Sequence, residues 1–204
     1  MRFDPLEEGK KATYFKMIEC IVPRPIAWVS TLSEDGVANI APFSFFTGVT
    51  SSPPTLLFCA GNKRGGVPKD TPTNIIATGE FVVNVVPAHM VEPMVQTSAS
   101  YDAGVDEFQA AGVTAIPSEI VKVPRVAESP IAFECSLHSV QDIEDGGRVT
   151  SRIVVGRIHL IHISDEIIEA DGTISLDKFK VVSRLGGQSY GLVGERFDVP
   201  RPKV

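Results

Sequence analysis

The chain has 204 residues, 43% hydrophobic and 22% charged, the composition of a globular protein large enough to bury a core, read as one domain over residues 1–204. Its 19 basic and 25 acidic residues leave a formal charge of −6, which argues against a nucleic-acid partner held through its phosphates. Cys20, Cys59 and Cys135 are an odd number without CxxC spacing, so a disulfide framework and a structural zinc site are disfavoured and a reducing compartment fits. The first residues carry Asp4, Glu7, Glu8, Lys10 and Lys11 and no apolar signal core, and no apolar run approaches the roughly 20 residues that span a bilayer. The expectation is a soluble, cytoplasmic protein without a nucleic-acid or membrane partner.

Taken in chain order, most periodic segments are short and rich in β-branched residues. Ile26–Leu32 reads as a strand, Ser33-Glu34-Asp35-Gly36 as a turn, and Val37–Ala41 as the hairpin partner. Thr55–Ala60 is a short apolar run behind Pro53-Pro54. Asp70–Gly79 has a capping residue, Pro72 in the first turn and glycine just past the end, which predicts a short helix. Glu80–Val86 is a further strand. Met90–Ser98 and Val105–Ala111 are short helices, the second closed by Gly112. Ile131–Ile143 and Arg148–Ile163 flank Glu144-Asp145-Gly146-Gly147 as a long hairpin. Within it, Val154–Ile163 is apolar on both faces, which calls for cover from the chain's own helices or from a second subunit. The glycine-rich stretch from Arg184 to Tyr190 reads as a loop. Strands dominate and helices are inserted between them, so a mainly β fold is expected: an antiparallel barrel with peripheral helices.

The common catalytic motifs are absent. There is no GxGxxG fingerprint, no GxSxG elbow and no HExxH, and Gly186–Gly191 continues with Leu192 where a P-loop needs lysine. His159 and His162 differ by three, so on a strand they point to opposite faces and could share a metal only on a helix, against which the β-branched surroundings argue. His89 and His138 lack an obvious partner, and the cysteines read as small core residues.

Two stretches carry more information. The first runs from Pro23-Arg24-Pro25 through Trp28, Val29, Ser30 and Thr31 to Asn39 and Ala41-Pro42-Phe43-Ser44-Phe45-Phe46. Prolines hold its start extended, and aromatic residues surround Ser30, Thr31 and Ser44. Such a place suits a flat apolar ligand with polar edges, or it is a hairpin whose aromatics fill the barrel. The second is Lys69-Asp70-Thr71 at the start of the short helix, where free N–H groups, the helix dipole and the lysine charge favour an anion. An ordinary helix cap accounts for the same residues.

Both stretches carry a resemblance to the flavin reductase-like proteins with an FMN-binding split barrel, in the flavoredoxin-like branch. The matching text is Arg24–Thr31, Gly36, Asn39, Ala41–Phe46, Pro53-Pro54, Lys69-Asp70-Thr71 and Asn74-Ile75. It continues through Gly79–Asn84, Asp106-Glu107-Phe108, Pro124-Arg125, Glu134-Cys135, Arg184–Gly187, Tyr190 and Arg201-Pro202, in order and over nearly the whole chain. The resemblance implies a six-stranded antiparallel Greek-key barrel, a homodimer, and FMN near the subunit interface. By motif, Trp28, Val29, Ser30, Thr31, Asn39 and Ala41, Pro42, Phe43, Ser44 and Phe45 would line the flavin. Lys69, Asp70 and Thr71 would hold the phosphate end, and Arg184 and Tyr190 would lie nearby. Pro72 departs from the larger apolar or aromatic residue common in the family.

These readings imply an oxidoreductase that takes hydride from NAD(P)H onto bound FMN and passes electrons to free flavin or a partner protein. Flavin chemistry belongs to the cofactor, so no catalytic side chain is required. The alternatives on the same fold are a non-enzymatic FMN electron carrier and an FMN oxidase of small amines; a flavin-free structural barrel fits the ordered motifs less well.

Overall fold

The computed structural model describes residues 1–102 and 104–202. Numbered along the chain, its first strands are β1 (Arg24–Pro25), β2 (Ala27–Leu32), β3 (Ala38–Phe43), β4 (Phe46–Ser51), β5 (Pro54–Gly61) and β6 (Glu80–Asn84). The later ones are β7 (Ala115–Ile116), β8 (Arg125–Val126), β9 (Ile131–Asp145), β10 (Arg148–Ile163), β11 (Val182–Arg184) and β12 (Tyr190–Leu192). The helices are α1 (Lys10–Cys20), α2 (Asp70–Thr78), α3 (Val91–Gln96), α4 (Glu107–Ala111) and α5 (Leu176–Phe179).

Seven antiparallel strands form one sheet in the order β3-β2-β6-β9-β10-β5-β4. Its two edge strands, β3 and β4, are consecutive in the chain and separated only by Ser44-Phe45, so the sheet must curl until its edges meet. The Phe45 carbonyl accepts the Cys59 N–H at 2.8 Å, and the rings of Phe43 and Phe58 pack with centroids 4.9 Å apart. This is the expected split barrel. Counted as one bent strand, β3 and β4 give the expected six; the bend at Ser44-Phe45 makes them seven.

The apolar character of β2 on both faces has a direct cause. Ala27 and Val29 point into the barrel core with Phe43, Phe58, Phe81 and Val154. Ile26 and Trp28 face a second core outside the barrel, built with Ile40, Met90, Met94 and Phe108. The Trp28 indole Nε1 donates to Thr97 Oγ1 at 2.9 Å, which satisfies its polar atom inside that core. Within the barrel, Gly156 lies so close to Phe81 that an added Cβ would overlap the ring.

Helix α2 ends as its sequence signals, with Gly79 in the left-handed region (φ 76°) and its N–H bonded to the Ile75 carbonyl. The turn of the long hairpin uses Gly146 and Gly147 at positive φ. The segment from Arg184 to Tyr190 is not simply a loop. Arg184 and Tyr190 are paired in the β11–β12 hairpin, which adds to β1 as a three-stranded sheet. Val182, 3% exposed, anchors that hairpin in the outer core. No helix among the described residues is long and apolar enough to cross a membrane.

Candidate functional site

A cavity of about 220 Å³ opens between the start of α2, β3, the loop after β5 and the segment following α3. Asn39, Ala41 and Pro42 supply one wall, and Lys69, Asp70 and Thr71 a second. Asn62, Lys63 and Arg64 close a third side, with Thr97–Tyr101 and Glu107 opposite.

Asn39 is the hub of its buried wall. Its Oδ1 accepts from Thr71 Oγ1 at 2.9 Å and from Thr31 Oγ1 at 3.2 Å. Its Nδ2 donates to Glu107 Oε1 at 2.8 Å, while the Ile40 N–H donates to Glu107 Oε2 at 3.2 Å. Asn74 Nδ2 extends the chain to Thr31 Oγ1 at 3.0 Å. Glu107 reaches this place because Asp106 caps α4, accepting from the N–H groups of Phe108 and Gln109 and fixing Glu107 in the first turn.

The cavity mixes both signs of charge. Lys63 Nζ pairs with Asp70 Oδ2 at 2.8 Å. Lys69 Nζ sits 5.3 Å from the centre of the Phe43 ring. Burial, followed by the Lys63 charge, pushes Lys69 below the ordinary lysine pKa. Burial pushes the Glu107 carboxyl up; hydrogen bonds from backbone N–H groups and Asn39 offset this in part, and Asp70 adds to the rise. Helix α2 starts at Lys69 without a side-chain cap, and Pro72 has no N–H, so the backbone N–H groups of Asp70 and Thr71 are what its first turn offers to an acceptor. Cations, a helix N-terminus and a small volume make a receptor for a compact anion such as a phosphate group.

The structure therefore brings together Asn39, Ala41, Pro42, Lys69, Asp70 and Thr71 from the sequence-predicted set. Thr71 differs from expectation in its role. It is 1% exposed and its hydroxyl is spent on Asn39, so it orients the wall and offers no hydroxyl to the cavity. Trp28 and Val29 are fully buried in the two cores, away from the cavity lining. Ser30 donates to the Pro124 carbonyl at 2.6 Å, and Thr31 lies behind Asn39. Strand β2 sits between β3 and β6, and Trp28, Val29 and Ser30 pair with both. The backbone groups of these residues are thus committed to the sheet and not to a ligand.

Phe43 lies beneath Lys69. Ser44 and Phe45 belong to a second group around Arg24, whose Nε donates to Ser44 Oγ at 3.4 Å and whose guanidinium lies 5.8 Å from the Phe45 ring centre. Arg24 also donates to the carbonyls of Ile18 at 2.7 Å and Leu185 at 2.9 Å, which ties α1 and the β11–β12 turn to the bend of the barrel. Arg184, opposite Arg24 in register, covers Tyr190 at 4.4 Å. Sequence reasoning missed Asn62, the Thr97–Tyr101 segment and Glu107 as cavity residues. For Glu107 the available signal was a carboxylate directly before the core residue Phe108 in a capped helix.

The two strand histidines also depart from expectation. A bulge between Ile158 and Leu160 shifts the alternation of β10. His159 Nε2 lies 2.7 Å from Ser136 Oγ and His162 Nε2 2.6 Å from Glu134 Oε1, and Ser136 and Glu134 share one face of β9. Both imidazoles thus face the same side, each with its own partner. Among the described residues no group of three or more His, Cys, Asp or Glu side chains is arranged to hold a metal ion.

Comparison with known proteins agrees with this architecture. The chain is 39% identical to the uncharacterized protein BH2278 of Halalkalibacterium halodurans, over all of this chain and 98% of that one. It is 38% identical to the uncharacterized protein YwrF of Bacillus subtilis, over 94% of each. Among solved structures it superposes on nitrilotriacetate monooxygenase component B from Bacillus cereus with TM-score 0.93, 32% identity and 98% of both chains covered. It superposes on the 2-nitrobenzoate 2-nitroreductase NbaA of Pseudomonas fluorescens with TM-score 0.88, 29% identity, 99% of this chain and 96% of that one. The flavoredoxin of Desulfovibrio vulgaris shares the fold, with TM-score 0.74 and 23% identity over 88% of this chain and 91% of that one. Residues 19–176 match the model of the flavin reductase like domain, and the chain belongs to that family.

Proposed function

We propose that the protein is an FMN-dependent oxidoreductase that accepts hydride from NAD(P)H and passes electrons on to free flavin, a partner enzyme or a small acceptor. The observation that carries this reading is the cationic cavity at the start of α2, set beside the barrel bend of a flavin reductase-like chain. Its donors fit a phosphate monoester: Lys69, Lys63, Arg64 and the first N–H groups of α2. At about 220 Å³ the cavity is smaller than the ~300 Å³ at which whole-ligand sites begin, so it takes the phosphate end. The remainder of the flavin would lie along Ala41–Phe45 toward Arg24, Arg184 and Tyr190, with a second subunit completing the ring site. When bound, FMN supplies the redox chemistry; the chain binds it, orients it and sets the electrostatics around it. The names of the similar structures, a monooxygenase component and a nitroreductase, support two kinds of acceptor, a partner enzyme or a small molecule.

The test begins with colour. The purified protein is expected to be yellow or to become so with FMN, and to release FMN on heating. Anaerobic mixing with NADH and with NADPH is then expected to bleach the visible flavin band. A flavin that neither nicotinamide bleaches, but that a protein donor reduces, would replace the reductase with an electron carrier.

A further inference from the structure

Glu107 is out of place in a cavity that receives an anion. It is 6% exposed and lies on the cavity wall. Its two oxygens accept from neutral amides, Asn39 Nδ2 at 2.8 Å and Ile40 N at 3.2 Å. Among the described residues no cation forms a salt bridge with it, and Lys63 of the same lining is paired with Asp70. The other charged groups facing this region are Arg64, Lys69 and Asp70 in the cavity itself, and Asp35 of the β2–β3 turn in the adjoining cleft. Asp106, beside it on α4, is turned to its own helix N–H groups, and Tyr101 is the remaining titratable group of the lining. A buried carboxylate without a cationic partner and an incoming phosphate dianion repel each other across a small, poorly solvated space.

We propose that Glu107 couples phosphate binding in this cavity to the uptake of one proton from solvent. The inference rests on the phosphate reading given above. As the dianion enters, the Glu107 carboxylate takes a proton from water; no bond to the ligand forms or breaks, and the cavity gains one net negative charge instead of two. Each Glu107 oxygen has spare lone-pair capacity beyond its single amide donor, so the carboxyl can hold the proton without giving up Asn39. Burial raises the proton affinity of Glu107 in the free protein, in the same direction as this change. Lys69, whose pKa burial lowers, is the competing source of a proton effect.

Calorimetric titration of the flavin-free protein with FMN, in Hepes and in Tris at about pH 7.5, reads the number of protons taken up. At that pH the free FMN phosphate is already mostly dianionic. About 0.5–1 proton per FMN is expected, with close to none for riboflavin. In Glu107→Gln the FMN value is expected to fall below about 0.2, and the weakening of FMN binding from pH 7 to pH 8.5, about five- to thirtyfold in the wild type, is expected to flatten. An infrared difference spectrum of the wild type, in water and in D2O, provides a second readout that needs no variant: a protonated carboxyl band should grow in with FMN and stay absent with riboflavin. Uptake that survives Glu107→Gln assigns the proton to Lys69 and overturns the proposal, as does equal uptake with riboflavin or a missing carboxyl band. Equal affinity for FMN and riboflavin overturns the phosphate reading together with it, whereas tighter FMN binding without Glu107-dependent uptake overturns this proposal alone.

Discussion

Gly156 is restricted to glycine by its neighbour: the Phe81 ring occupies the space a β-carbon would need. Both residues sit on central strands of the barrel, where neither backbone can retreat. Gly156→Ala is therefore expected to destabilise the protein by about 1–3 kcal/mol, the range for overpacking a close-packed core, measured as a lowered denaturant midpoint with unchanged slope. Phe81→Leu in the same chain is expected to restore part of the loss. At the cavity, Lys69 and Thr71 separate by role. Lys69→Ala removes a charge that faces the proposed phosphate and is expected to weaken FMN binding about tenfold or more, with riboflavin affected much less. Thr71→Ala acts only through Asn39 and removes no charge, so it is expected to weaken FMN binding less than Lys69→Ala does. Equilibrium titration of the two flavins against each variant reads this difference directly.

Among the elements, β9 does more than pair. Glu134, fully buried on its outer face, accepts the N–H groups of Glu119, Ile120 and Val121 at 2.7–2.9 Å, and so clasps the segment before β8. Burial alone would raise its pKa, but the Glu119 N–H, His162 and the other two N–H groups outweigh it and hold the carboxyl at about 2. The sign follows from linkage. A carboxylate depressed in the folded state stabilises the fold above its unfolded pKa, near 4.5, and loses that contribution as pH falls toward about 2. Stability should thus drop across that window, and Glu134→Gln should flatten the drop while loosening the clasp at neutral pH. Denaturation at stepped pH, with amide exchange at Glu119–Val121, measures both effects.

The same scale shows why some elements were legible and others were not. The long hairpin, the β2–β3 hairpin and α2 each have turn or cap residues next to a periodic run, so local chemistry alone marks them. Helix α1 has no side-chain cap and buries only Ile18, and the helix is held by Arg24 from outside. The β11–β12 hairpin depends on β1 as a ladder partner far away in sequence. At the site, the cationic start of α2 could be read, but Glu107 meets Asn39 across 68 positions. The face of His159 was misjudged because a bulge, which leaves no local signature here, resets the alternation.

At the scale of the whole molecule, the remaining question is what covers its exposed apolar groups. Ile161 (47% exposed) and Ile163 (39%) lie on β10, and Val49 (51%) lies on β4 at the sheet edge. Tyr14 (53%), Phe15 (43%) and Met17 (46%) add an apolar surface on α1, which Arg24 ties to the bend where the proposed flavin ring would lie. A homodimer whose second subunit covers these groups and completes each flavin site is the expected assembly. Because a ligand bound only by the assembled form stabilises it by mass action, FMN at a hundredfold excess over its Kd should contribute about 2.7 kcal/mol, a rise in melting temperature of about 5–10 °C for a chain of this size. FMN should also suppress dissociation on dilution. Ile161→Asp with Ile163→Asp places charge on the expected interface and should shift the protein toward monomer, with FMN affinity falling in parallel. Sedimentation velocity at decreasing protein concentration, with and without FMN, measures the coupling. A wild-type monomer that holds one FMN with undiminished affinity would remove the second subunit from the site and leave each barrel to bind its flavin alone.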